Sequence, residues 1–148
     1  MLGNIDTLHA IHRRCTADQP LTPEMRDWLA GALSRYLEQR CETLNEAFGV
    51  IHGRGGVPWW RERAIRRRDE ALRALVHEHF SHLSVYARAK RVAELAERYA
   101  RTAWPRDRAL DAMPEAYRGT PRAGLWEAFR AGAKMPVSER RLRTLLGD

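Results

Sequence analysis

One segment constrains the fold more than any other. Met25, Trp28, Leu29, Ala32, Leu33, Tyr36 and Leu37 recur at offsets 0, 3, 4, 7, 8, 11 and 12. Only an α-helix gathers that spacing onto one broad face. The start signal stands just ahead, with Thr22 at the N-cap, Pro23 at the first helical position and Glu24 in the first turn.

Similar signals punctuate the rest of the chain. Ile5, Leu8, Ile11 and Cys15 share a face in a pattern that stops before Asp18-Gln19-Pro20. Thr43 through Glu46 fits a capping box for a short helix ending at Gly49. Pro58 opens a long helix to about Phe80, with apolar positions at Trp60, Ile65, Leu72, Leu75, Val76 and Phe80. Arg68 and Asp69 interrupt that stripe where a helical face calls for apolar residues. Ser84 caps the next helix, whose face of Ala89, Val92, Ala93, Ala96, Tyr99, Ala100 and Ala103 permits close approach of a neighbour. Trp104-Pro105 breaks it. The path through Pro114 to Gly119 carries no clear pattern. Thr120-Pro121 then starts a helix bearing Leu125, Trp126 and Phe129, closed by Gly132, and Ser138 caps a last one with Leu142, Leu145 and Leu146.

No strand-like alternation runs beyond a few residues, so the expected class is all-α. The expected architecture is a compact bundle of about six or seven helices. At 148 residues the chain has room for one compact domain and can bury roughly two thirds of its unfolded surface. Within it, Gly53-Arg54-Gly55-Gly56 divides an N-terminal helical segment, 1–52, from a basic helical region, 53–148.

Charge separates these segments. Residues 1–52 carry five arginines against seven acids, net −2, whereas residues 53–148 carry 21 basic residues against 12 acids, net +9. Arginine supplies 24 of the 26 cations, and its planar fork suits phosphate. An uneven basic charge points to an anionic partner, DNA or another polyanion. The densest cluster runs through Arg61, Arg63, Arg66, Arg67 and Arg68 behind Trp59 and Trp60. Arginines beside aromatics can bind phosphates and stack on bases. A solvated helix face is the bland alternative, with Glu62–Arg66 and Arg66–Glu70 as ready pairs and the tryptophans as core anchors.

Two segments resemble helix-turn-helix units in the C-terminal two thirds. The first joins the helix ending at Phe80 to the one starting at Val85, and would present Arg88, Lys90, Arg91 and Arg98 outward. The second joins the Leu125–Ala131 helix to Ser138, Arg140, Arg141 and Arg143. There Ala128 and Gly132 stand four apart, as the small residues of that motif do, although Pro136, Ser138 and Arg141 depart from its usual pattern. The resemblance implies that a short helix N-terminus faces phosphates or enters a major groove.

Other chemistries find little support. His77-Glu78-His79-Phe80-Ser81 lacks the second histidine of a HExxH metal site, because Ser81 stands four after His77. The glycine loop lacks the lysine-serine end of a phosphate-binding loop, and no G-x-S-x-G elbow occurs. Cys15 and Cys41 carry no catalytic signature and read as core thiols in helical surroundings. Asp69 reads as the partner of an arginine before it reads as a general base. No catalytic residue, cofactor or metal is expected, and the chain is not expected to be an enzyme. The N-terminus shows no basic stretch followed by an apolar run, and no apolar run approaches the roughly 18 residues that span a bilayer. A cytoplasmic setting without membrane contact is therefore expected. The expected function is nucleic-acid binding, to DNA, by arginine-rich helices. The alternative is a protein-interaction or adaptor domain that binds no nucleic acid.

Overall fold

In the computed structural model, residues 3–52, 56–136 and 138–147 are described, and they form eight α-helices, one 3-10 turn and no strand. The chain is all-α. Two compact units divide it, Met1–Trp59 and Trp60–Asp148. Gly53, Arg54 and Gly55, most of the glycine-rich boundary expected from the sequence, lie outside the described residues. No helix among the described residues is long and apolar enough to cross a membrane.

The first unit holds α1 (Asn4–Thr16), α2 (Pro23–Leu37) and α3 (Leu44–Ala47). The Thr22 hydroxyl accepts from the Met25 N–H at 3.2 Å, which sets the start of α2. Thr43 does the same for Glu46 at 3.1 Å. The capping box closes differently from its usual form. The Glu46 carboxylate accepts from the Glu42 N–H, one residue before the cap, at 3.1 Å. Ala32 and Ala47 are fully buried where α2 meets α3, and the Trp28 and Phe48 rings lie 5.6 Å apart. Gly49 follows α3 with φ +65° and accepts from the Asn4 amide through its carbonyl at 3.0 Å. A Cβ there would collide with that amide, so glycine serves both the left-handed turn and the close approach.

Burial in this unit is less complete than its apolar pattern. The α2 stripe is not wholly buried: Leu33 and Tyr36 are exposed, and Leu37 is 75% exposed. Periodicity marks a helix face, but α3 is only four residues long and covers a short part of it. The cysteines are not core thiols either. Cys15 sits exposed in the last turn of α1, beyond buried Ile11, and half-buried Cys41 lies in the bend after α2, where its thiol meets the Thr43 carbonyl.

The second unit contains nearly all of α4 (Trp59–His79), then α5 (Val85–Thr102), α6 (Trp104–Asp107), a 3-10 turn (Glu115–Tyr117), α7 (Pro121–Arg130) and α8 (Glu139–Leu146). Its core joins Leu72, Leu75 and Val76 of α4 with Val92 and Tyr99 of α5, Leu125 and Trp126 of α7, and Leu142 and Leu146 of α8. Each such side chain contributes about 1.5–3 kcal/mol on full burial. The small face of α5, with Ala89 fully buried, lets α8 pack along it. Gly124 lets α7 approach α4 at one point, since a Cβ there would stand 2.8 Å from the Leu75 side chain.

Caps delimit these helices. Ser84 and Ser138 accept from the N–H groups of Ala87 and Arg141, each at 3.2 Å. Thr120 departs from its expected role. Its hydroxyl donates to the Tyr117 carbonyl at 2.6 Å and makes no cap, so Pro121 alone presets the first turn of α7.

The segment without a sequence pattern holds the most buried polar cluster. Asp107, 1% exposed at the end of α6, accepts from the Tyr117 hydroxyl at 2.6 Å and the Tyr99 hydroxyl at 2.9 Å. Arg106 Nε adds a third bond at 3.3 Å from the exposed side. Burial alone would raise the Asp107 pKa, but these hydrogen bonds and the Arg106 charge outweigh it and hold the carboxyl below its ordinary value. Burial and the bond to Asp107 push the Tyr99 hydroxyl well above the usual tyrosine range. Three donors thus satisfy one buried carboxylate and tie α5, α6 and the 3-10 turn together.

Candidate functional site

Arg68 explains the break in the α4 stripe. It faces inward and is 4% exposed. Its Nε and Nη2 donate to Asp69 Oδ1 at 2.8 and 2.6 Å, and its Nη1 donates to the Lys134 carbonyl at 2.6 Å. A buried cation is tolerated because a carboxylate and a carbonyl satisfy it. Asp69 therefore serves as an ion-pair partner. The third bond matters for the site, since it holds the α7–α8 connection against α4 across 66 residues of sequence.

Between those two elements lies a groove of about 800 Å³. Arg61, Lys134 and Arg141 supply its exposed cations, with Arg68 at the braced wall. Ala64, Ile65, Met135 and Pro136 supply apolar surface, and Trp60, 57% exposed, stands at the α4 end. Among the described residues, no lining residue is a carboxylate. With Arg68 matched by Asp69, the three exposed cations carry the positive field of the recess, which favours an anion there. Trp60 is thus not the core anchor of the alternative reading. It lies in the first turn of α4, ahead of the first fully buried leucine, Leu72.

The expected binding residues divide into three sets. Arg61, Ser138 and Arg141 line the groove. Arg140 and Arg143 lie exposed on α8 and are not among the lining residues, with Arg143 over the Tyr86 ring at 5.5 Å. The others have different surroundings. Arg66 pairs with Glu62 at 3.5 Å, and Arg67 shares a recess with Glu70 and Glu127. Arg63 is half-buried. Lys90 is exposed on α5, and Arg91 meets Glu94 at 3.7 Å.

Arg88 corrects the expectation that it points outward. It folds back, donating to the Phe80 carbonyl at 3.1 Å and the Ser81 carbonyl at 2.6 Å. These carbonyls follow the end of α4, where no intrahelical N–H remains to satisfy them. Arg73 likewise donates to Leu145 at the end of α8 at 3.2 Å.

Sequence reasoning missed Lys134 as a site residue. Lys134 had one usable signal, a lone cation between Gly132 and Pro136 in a connection otherwise lacking charge. Its proximity to Arg61 and Arg68 is a tertiary fact with no local trace. Among the described residues no group of three His, Cys, Asp or Glu side chains is placed to hold a metal ion. No family model, curated protein or solved structure matches the chain.

Proposed function

We propose that this chain binds nucleic acid, with DNA as the polyanion, through the groove between α4 and the α7–α8 connection. One observation carries the reading: Arg61, Lys134 and Arg141 line a single recess in which none of the described lining residues is a carboxylate. Guanidinium groups there donate paired hydrogen bonds to phosphate oxygens, while Lys134 acts as a point charge. Arg140 and Arg143 extend the cationic surface along α8. Binding releases condensed counterions, so affinity falls steeply with salt.

The test is fluorescence anisotropy with a labelled DNA oligonucleotide. The reading expects a complex at micromolar protein in about 50 mM salt and, from three groove contacts, a loss of about 20- to 40-fold in affinity by about 200 mM. Absence of any complex at the lower salt removes it. The competing reading, a protein-interaction domain, draws on the exposed Leu33, Tyr36 and Leu37 of α2. It becomes the better account if nucleic acid fails to bind.

A further inference from the structure

Phosphate alone leaves half of the groove unused. Trp60, Ile65, Met135 and Pro136 give nothing to a phosphodiester backbone, yet they share the recess with the cations. A B-form duplex keeps its base faces stacked inside and presents phosphates and groove edges to a protein. A recess of about 800 Å³ lies within the range of pockets that enclose a small molecule, roughly 300–1,000 Å³. An unpaired nucleotide has the matching composition, with a flat apolar face on one side and an anionic phosphate on the other. Single-strand binding sites combine these same two elements, an aromatic platform and a cationic track.

We infer that the groove takes an unpaired stretch of a nucleic-acid strand, one base lying on Trp60 and its flanking phosphates at Arg61, Lys134 and Arg141. The inference rests on the nucleic-acid reading above and narrows it to single strands. Trp60 is suited to this because more than half of its surface is open to solvent. Arg141 is placed by the cap beneath it, where its own N–H donates to Ser138 Oγ. Lys134 is placed by the Arg68 bond to its carbonyl. The three cations thus come from two helices and a braced connection, which a continuous strand can follow from one to the next.

The experiment compares a labelled oligo-dT strand with a blunt duplex of equal length, at about 50 mM salt, against wild type, Trp60→Ala and Trp60→Phe. The wild type is expected to prefer the single strand. Trp60→Ala should weaken single-strand binding by about 5- to 150-fold, the equivalent of one stacked base, and narrow the preference over the duplex accordingly. Trp60→Phe should keep most of the preference, which separates stacking from a folding defect. Equal or tighter binding of the duplex, or an unchanged single-strand affinity in Trp60→Ala, overturns the single-strand inference while nucleic-acid binding stands. Failure of both probes to bind removes both.

Discussion

Replacing Arg68 by methionine tests whether the brace under the groove is structural. The aliphatic stem is kept, so little packing is lost. What disappears is the pair of contacts on Asp69 Oδ1, at 2.8 and 2.6 Å, and the bond to the Lys134 carbonyl at 2.6 Å. Asp69 has a side chain only 19% exposed, so its carboxylate is left largely buried without its cation. Removing one partner of a buried pair costs about 3–5 kcal/mol. Residual solvent at Asp69 favours the lower end, about 3 kcal/mol. For a domain of 60–100 residues each kcal/mol shifts the Tm by about 4–8 °C, so a fall of about 12–24 °C is expected. Arg68→Met combined with Asp69→Leu removes the stranded charge as well and should recover most of the loss. The Lys134 carbonyl then accounts for a residual of about 1 kcal/mol. Thermal and urea melts followed by circular dichroism read both variants. A single variant melting within about 4 °C of wild type, or a double variant no better than the single, refutes the brace.

Two further outcomes concern the Asp107 cluster. Tyr117→Phe removes the donor at 2.6 Å from a buried carboxylate and should cost about 1–3 kcal/mol in a urea melt; an unchanged midpoint would show that the hydroxyl is not needed. The Asp107 pKa is held below its unfolded value, so the stability it contributes is complete above about pH 4 and is lost as pH falls through the folded value. An acid titration should accordingly show wild type losing stability below about pH 4, with a shallower loss in Asp107→Asn once both are referenced to neutral pH. Equal slopes would place the acid sensitivity elsewhere.

The helices were legible because their signals are local. Thr22, Thr43, Ser84 and Ser138 cap helices through atoms three residues away, and the α5 alanine face follows from spacing alone. Misreadings arose where a residue's environment depends on distant chain. Leu37 has an apolar pattern but no element over it, and Arg88 has an outward-looking pattern but bonds to the carbonyls that end α4. Asp107 stands out in no periodicity, because its partners are set by how α5, α6 and the 3-10 turn close on one another. The groove was half legible. Arg61 and Arg141 belong to arginine-rich stretches visible in the sequence, whereas their meeting depends on Arg68 bridging to Lys134. Charge counting also overstates the available surface, since Arg66, Arg68 and Arg91 are matched by carboxylates.

On the proposed reading the groove, and not the diffuse positive charge of the second unit, holds the nucleic acid. The most direct test is the slope of log affinity against log salt for a single-stranded DNA oligonucleotide, in wild type and in Arg61→Ala combined with Arg141→Ala. Each phosphate contact on a single strand contributes about 0.7 to the slope. Loss of two groove contacts should therefore flatten it by about 1.4, while Arg66→Ala combined with Arg91→Ala, at two cations already paired on the surface, should leave it near the wild-type value. Equal flattening by both pairs, or none from the groove pair, would place binding outside the groove.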